Sequence, residues 1–408
     1  MPSEVESIRG SESRLLWGVK VGLLVTGGIS IYRVPDLARG LIRHGAYVDV
    51  YMTREASRLI SPKIFKWATG GRVFTRLSGY AEHVSLCPSY DIIVVAPATA
   101  NTIGKVANGV ADNPVTLCLM AAMGAGKPII MAPAMNINMW LSPILGENIG
   151  KLRRLGVTVL EPRIEEGKAK LPDVDEVVEA AIDALAPRDL KGLRILITSG
   201  PTREHVDDVK YLTTPSSGLT GYYIAREALA RGASVVVVSG PVGLKYPKGV
   251  EVINVEGVLE MRDAVMDIVR RGIDVAIFSA APLDYYVAER YPGKLPSDLD
   301  SISVKLVRAP KIVSEVKKTS PGTIVVGFKA EVNVSDDELV KRALERMREG
   351  SWDLAIAHDV GRGLGFSTIK DDVIVIRSDG SYFKTGPIHK RELARVILNE
   401  VSKLARHG

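Results

Sequence analysis

The apolar positions of this chain fall into short unbroken runs separated by stretches of helical spacing, the pattern of strands buried on both faces alternating with amphipathic helices. Residues 19–26 (VKVGLLVT) form the first run and close on Gly27-Gly28; Val34, Leu37, Ala38 and Leu41 then recur at helical spacing within residues 32–43. Further runs span residues 46–52, 91–96 (DIIVVA) and 128–132. This alternation predicts right-handed crossovers and a mostly parallel sheet covered on both faces. The plan then repeats. Residues 193–198 (LRILIT) lead into Ser199-Gly200-Pro201, residues 221–230 have helical spacing, and residues 234–239 (SVVVVS) form another buried run. Residues 274–282 (DVAIFSAAP) echo residues 91–97, and Arg231-Gly232-Ala233 echoes Arg43-His44-Gly45-Ala46. The expected fold is α/β: two doubly wound Rossmann-like domains with mostly parallel sheets, joined near residues 186–189, where a helix-period stretch (174–185) runs into a proline. The expected divisions are an N-terminal extension over 1–18, a first domain over 19–188 and a second over 189–408. One large sheet is the alternative.

The length of 408 residues suits two domains, each able to bury a full core. Apolar residues at 46% and charged residues at 25% are a globular composition and exclude a disordered chain. Two cysteines, Cys87 and Cys118, cannot form a disulfide framework, and no Cys/His group has zinc spacing, so a reducing cytoplasm is expected. The first 15 residues mix charges of both signs and lack the apolar core of a signal peptide, and no stretch reaches the ~18 apolar residues of a membrane span, so no membrane partner is expected. The 53 basic residues are dispersed among 47 acidic ones, and aromatics make up only 6%, which argues against a nucleic-acid partner. A net charge of +6 suits small phosphates and carboxylates.

In open α/β sheets ligands bind beyond the carboxyl ends of the strands, where backbone amides and helix N-termini receive anions. In the first half the loops so selected hold residues 26–30 (TGGIS), Thr53, residues 97–102 (PATANT) and residues 133–136 (PAMN). In the second they hold residues 199–203 (SGPTR), 239–242 (SGPV), 279–284 (SAAPLD) and 326–328 (VGF). No G-x-G-x-x-G follows the first strand of either half, and Gly126-Lys127 precedes Pro128 rather than the Ser/Thr of a P-loop, which disfavours an ordinary dinucleotide oxidoreductase and a P-loop kinase. By residue type alone the candidates keep two readings each. His83 is by residue type a surface or capped histidine more often than a base, Asn136 follows a proline turn and could merely satisfy local backbone, Asp284 could cap a helix, and Lys294 stands in the polar segment 291–296 as a solvated lysine would.

Taken in order from about residue 19, these segments resemble the family of bifunctional coenzyme A biosynthesis proteins, in which a phosphopantothenoylcysteine decarboxylase is fused to a phosphopantothenate–cysteine ligase. The likeness is carried by Thr26-Gly27-Gly28-Ile29, His83, residues 96–102 (APATANT), Ala111-Asp112-Asn113 and Pro133-Ala134-Met135-Asn136 in the first half. In the second half it is carried by residues 198–203 (TSGPTR), Pro215-Ser216-Ser217-Gly218, residues 238–242 (VSGPV) and 280–284 (AAPLD), Lys294, Gly327-Phe328-x-Ala330-Glu331 and Asp359-Val360. The resemblance implies a first domain of the flavodoxin-like, flavin-dependent cysteine decarboxylase type, with FMN held by Gly28, Ile29, Ser30, Thr53, Thr99, Ala100, Asn101, Thr102 and Ala134. A cysteine carboxylate lacks an electron sink; oxidation of the carbon bearing sulfur gives a thioaldehyde that can accept the electrons left by carbon dioxide. His83 matches the family's base, and Asn136 the residue that binds the departing carboxylate.

For the second domain the resemblance implies activation of 4′-phosphopantothenate by CTP as an acyl cytidylate, with Mg2+ on the triphosphate and ligands not assignable, followed by amide formation with cysteine. By position Ser279, Ala280, Asp284, Lys294, Pro310, Lys311, Ile312, Val313 and Phe328 would bind the nucleotide, with Arg342 or Arg346 in place of phosphate-binding lysines; Thr214, Ser216, Ser217 and Gly218 would meet the substrate, and Lys294 would assist acyl transfer. The family also implies a homo-oligomer, trimeric through the decarboxylase and dimeric through the ligase. The chain departs from the pattern at three points. Residues 163–170 (RIEEGKAK) lack the flap cysteine of bacterial relatives, Thr214 replaces an asparagine, and His358 stands where asparagine is usual. The missing cysteine supplies the alternative, an active ligase fused to a flavin-binding, non-decarboxylating regulatory domain.

Overall fold

The computed structural model describes residues 4–77, 81–298, 300–365 and 367–407. It divides into two compact units, residues 1–185 and 186–408, each with its own sheet and apolar clusters.

The first unit contains β1 (Lys20–Val25), α1 (Val34–Arg43), β2 (Tyr47–Met52), β3 (Val73–Phe74), β4 (Ile92–Ala98), α2 (Ala100–Ala107), α3 (Pro114–Gly124), β5 (Ile129–Pro133), α4 (Pro143–Arg154), β6 (Thr158–Val159) and α5 (Val174–Ala184). Its strands lie in the order 3-2-1-4-5-6, all parallel. All seven residues of β4 are buried, because helices cover both faces. Alternation along the strands sorts the core: Val21, Leu23 and Val25 face α1 and α5, whereas Leu24, Ile93 and Val95 face the cluster of α2, α3 and α4. Val5, Leu15 and Leu16 ahead of β1 are buried in the first of these clusters. The doubly wound parallel character is that expected, and the strand order is that of paired mononucleotide-binding halves, with its switch point between β1 and β4.

The cysteines depart from expectation. Cys87 and Cys118 are joined in a disulfide with their Cα atoms 5.3 Å apart, both fully buried. The short helix Cys87–Ser89 packs on α3, which brings two residues 31 apart in sequence within bonding reach. One bridge is not a framework, but it removes the redox argument for a reducing compartment.

The second unit contains β7 (Arg194–Ser199), α6 (Leu219–Ala230), β8 (Ser234–Ser239), β9 (Glu251–Asn254), α7 (Val258–Arg270), β10 (Val275–Phe278), α8 (Ile312–Thr319), β11 (Ile324–Glu331), α9 (Asp336–Gly350), β12 (Leu354–Asp359), β13 (Lys370–Arg377), β14 (Tyr382–His389) and α10 (Lys390–His407). The order 9-8-7-10-11-12 repeats that of the first unit, and β13 and β14 extend it as an antiparallel edge. Helices α7, α8 and α9 cover one face and α6 and α10 the other. Between α6 and α10 the carboxylate of Glu227 is fully buried against the guanidiniums of Arg391 and Arg395, the latter at 2.9 Å. Its burial pushes its pKa up, but the two guanidiniums outweigh that and hold it below the usual 4.5.

Candidate functional site

In the first unit the residues implicated by sequence gather at the carboxyl ends of four adjacent strands: Gly28, Ile29 and Ser30 after β1, Thr53 after β2, Thr99 to Thr102 after β4 and Ala134 after β5. The loops are built by hydroxyl capping. Thr99 caps α2 by accepting from the Thr102 amide, its hydroxyl lies 3.4 Å from that of Thr26, and Thr26 donates to the Pro97 carbonyl at 2.5 Å. Thr53 caps the helix Arg54–Leu59, accepting from the Ala56 amide at 3.1 Å. A Cβ on Gly27 would come 2.5 Å from Glu55 Cβ, and one on Gly28 3.3 Å from Pro97 Cγ, so the backbone lies close against its neighbours. The donors offered are backbone amides, neutral hydroxyls and the N-terminus of α2, a set that fits a phosphate-bearing flavin. Ile29 is 80% exposed.

His83 lies on the short helix Glu82–Ser85, packed against α3, and its Nδ1 is buried without a hydrogen-bond partner among the described residues. No hydrogen bond described joins it to the strand-tip loops. Asn136 is exposed and caps the helix Ile137–Trp140, accepting from the Asn138 amide at 2.8 Å. It also pairs in register with Lys168 of the hairpin over residues 163–170, so the segment lacking a cysteine lies directly against it.

The second unit opens a cleft of about 540 Å³ at the carboxyl ends of β7, β10, β11 and β12. Thr214, Ser216, Ser217, Gly218, Ser279, Ala280, Asp284, Pro310, Lys311, Ile312, Val313, Phe328 and Arg346 all line it. Ser279 donates to the Thr198 carbonyl at 2.7 Å, and Thr214 donates to the Ala281 carbonyl at 2.6 Å, which holds the loop before α6 against the loop after β10. The Lys311 ammonium is 2.8 Å from the Asp284 carboxylate. Gly221 has no room for a side chain, since a Cβ would come 2.4 Å from Ser199 Oγ.

Two predicted residues stand apart from the cleft lining. Lys294 is exposed, on a loop whose Gly293 and Leu295 amides donate to Asp208 and Asp207. Arg342 is exposed and paired with Glu331 and Glu338. Conversely, the cleft is lined by Trp352, His358, Asp371 and Lys390, none of which sequence reasoning assigned to it. Asp371 and Lys390 are 2% and 3% exposed; burial pulls the Lys390 ammonium down, partly opposed by the Asp371 charge. Charged residues buried at a strand start and a helix start are the signal, but only once burial is known. Among the described residues no group of three or more His, Cys, Asp or Glu side chains could hold a metal ion, and no helix is long and apolar enough to cross a membrane.

Two doubly wound units, each presenting polar strand-tip loops, define a two-domain protein of the nucleotide- and flavin-binding type. Residues 9–186 match the family model described as Flavoprotein, and residues 190–404 that described as DNA/pantothenate metabolism flavoprotein C-terminal domain. The Coenzyme A biosynthesis bifunctional protein CoaBC of Thermococcus kodakarensis is 38% identical over 99% of this chain and 100% of its own length, and that of Bacillus subtilis is 33% identical over 94% and 97%. Among solved structures, the C-terminal domain of a CoaBC protein is 30% identical over 54% of this chain and 100% of its own (TM-score 0.46), and the FMN-dependent cysteine decarboxylase SpaF is 31% identical over 42% and 99% (TM-score 0.38). The chain belongs to the family of coenzyme A biosynthesis bifunctional proteins.

Proposed function

We propose that the second unit joins cysteine to 4′-phosphopantothenate at the expense of CTP, through an acyl cytidylate, and that the first unit decarboxylates the product to 4′-phosphopantetheine with FMN as its cofactor. The observation that carries the reading is the cleft at the carboxyl edge of the second sheet, which gathers thirteen of the positions assigned from the resemblance around one hollow. Its polar loops and basic side chains suit a triphosphate and a carboxylate meeting there. Mg2+ would arrive on the triphosphate, a mode that needs few protein carboxylates.

In the first unit a bound flavin would supply the two-electron oxidation that turns the carbon bearing sulfur into the electron sink a cysteine carboxylate lacks. Around it the Thr99 and Thr53 hydroxyls and the α2 amides would hold the phosphate and orient the ring, His83 would move a proton, and the Asn136 amide would hold the substrate carboxylate. A cytoplasmic homo-oligomer, built through contacts of both units, completes the reading. Incubating the protein with CTP, cysteine and 4′-phosphopantothenate, and following pyrophosphate and carbon dioxide separately, tests both halves. Absence of pyrophosphate release would end the ligase reading.

One observation favours a second reading for the first unit. Hairpin 163–170 carries no thiol, and the chain's two cysteines are bonded to each other, so no free thiol stands in for the family's flap cysteine. If FMN-loaded protein releases no carbon dioxide from phosphopantothenoylcysteine, this unit is a flavin-binding regulatory partner of the ligase.

A further inference from the structure

We infer that His358, oriented by Asp371, is the general base that takes a proton from the cysteine ammonium in the amide-forming half of the ligase reaction. The inference rests on the ligase reading above. His358 stands at the carboxyl end of β12 and lines the cleft although it is only 8% exposed. Its Nδ1 lies 3.2 and 3.3 Å from the two carboxylate oxygens of Asp371, on the neighbouring antiparallel strand β13. An N–H at Nδ1 donating to that carboxylate puts the basic lone pair on Nε2, the arrangement of a base held by an orienting acid. The ring is further fixed by its edge-on contact with Phe328, 6.5 Å between centroids, and by Gly365, where even a Cβ would come 3.4 Å from Nδ1.

Among the described residues, charged groups stand on each element around this imidazole, but strand alternation turns those of Lys329, Glu331, Asp359 and Asp372 toward the other face of the sheet. Lys390 of α10 donates to the Gly365 carbonyl at 2.5 Å and is attracted by Asp371. On β11, Lys329 and Glu331 pair at 2.7 Å; from α9, Arg346 pairs with Glu349. Asp359 accepts from the Asn333 and Gly361 amides at 2.9 Å, and Asp372 is drawn toward Lys384. Asp371 lies on the His358 face, and its carboxylate engages the ring at Nδ1.

The chemistry has a use for such a group, and since the asparagine usual at this position cannot accept a proton, the role is particular to a chain with histidine here. Cysteine reaches the cleft as an ammonium without a lone pair. One proton must leave before nitrogen can attack the acyl carbon. The C–N bond then forms, the bond from acyl carbon to the phosphoryl-bridging oxygen breaks, CMP departs with that oxygen, and the nitrogen sheds a second proton to give the amide. His358 Nε2 accepts the first proton and returns it to solvent.

The test is His358→Asn in the full chain, with pyrophosphate release and amide formation measured separately from pH 6 to pH 9. The expected result is amide formation slowed about a hundredfold at pH 7 with pyrophosphate release retained. The deficit should shrink toward pH 9, as more cysteine arrives as free amine. Asp371→Asn should move the pH profile of amide formation in the same direction, because the orienting charge is lost. If both steps fall by one common factor at every pH, or amide formation is unchanged, His358 and Asp371 merely tie β12 to β13 and the inference is wrong. Wild-type protein that releases no pyrophosphate from CTP and 4′-phosphopantothenate overturns the ligase reading, and the inference with it.

Discussion

Cys87 is covalently joined to Cys118, and the bond anchors to α3 the segment that carries His83 four residues earlier. The loop it closes spans 31 residues, for which a disulfide contributes about 2–4 kcal/mol. Reduction, or the Cys87→Ala/Cys118→Ala pair, is expected to lower the stability of the first unit by roughly that amount. Decarboxylation should fall more than pyrophosphate release. Denaturant titration of oxidised and reduced protein, with both activities assayed, checks this; equal losses of the two activities would separate the bridge from His83.

His83→Asn is expected to abolish carbon dioxide release while flavin absorbance and ligase turnover persist. Its Nδ1, buried without a hydrogen-bond partner among the described residues, makes the substitution a test of role. Loss of flavin in step with activity would make His83 structural.

Trp352 lies in a slot formed by two glycines. A Cβ on Gly327 would come 2.3 Å from the indole, and one on Gly350 the same distance from its Nε1. Gly327→Ala should therefore cost about 1–3 kcal/mol of stability. Because Trp352 lines the cleft, the variant should also raise the KM for CTP. Thermal unfolding and initial rates against CTP concentration give the two numbers; an unmoved melting temperature would mean that the indole shifts freely.

Acid should loosen the second unit in two stages. Burial, with Lys370, Arg391 and Lys390 nearby, pulls His389 from 6.5 down to about 4, and its Nδ1 accepts the Arg391 amide at 3.0 Å. A folded pKa below the unfolded one means that this contribution is whole above pH 6.5 and lost as pH falls toward 4. Glu227, also depressed, contributes above about 4.5 and fails below it. Urea midpoints measured between pH 7 and pH 4 should fall throughout. In Arg391→Met, which leaves Glu227 with Arg395 alone, stability at pH 7 should drop by about 3–5 kcal/mol.

The architecture was legible where one residue type could satisfy one physical demand. Fully apolar runs such as residues 92–98 have to lie in a covered parallel sheet, and the glycine and threonine turns after them follow from hydroxyl capping. Thirteen positions around the second cleft were reached from the resemblance, because that motif lies at strand tips. Hairpin 163–170 and the β13–β14 edge were not read, since short polar strands carry little periodicity. Nor were Asp371 and Lys390, whose neighbours in sequence, Lys370-Asp371-Asp372 and His389-Lys390-Arg391, look solvated. Lys294 was reached from the resemblance alone; its exposed loop is held through the Gly293 and Leu295 amides by Asp208 and Asp207.

The antiparallel edge has a consequence for biogenesis. On the ribosome all six parallel strands of the second unit emerge before Asp371 and Lys390, so a nascent chain can assemble most of that sheet while its cleft still lacks those two lining residues. Only docking of α10, through Leu393, Ile397 and Val401, seats Lys390 there, and thus joins the completion of the core to the onset of competence.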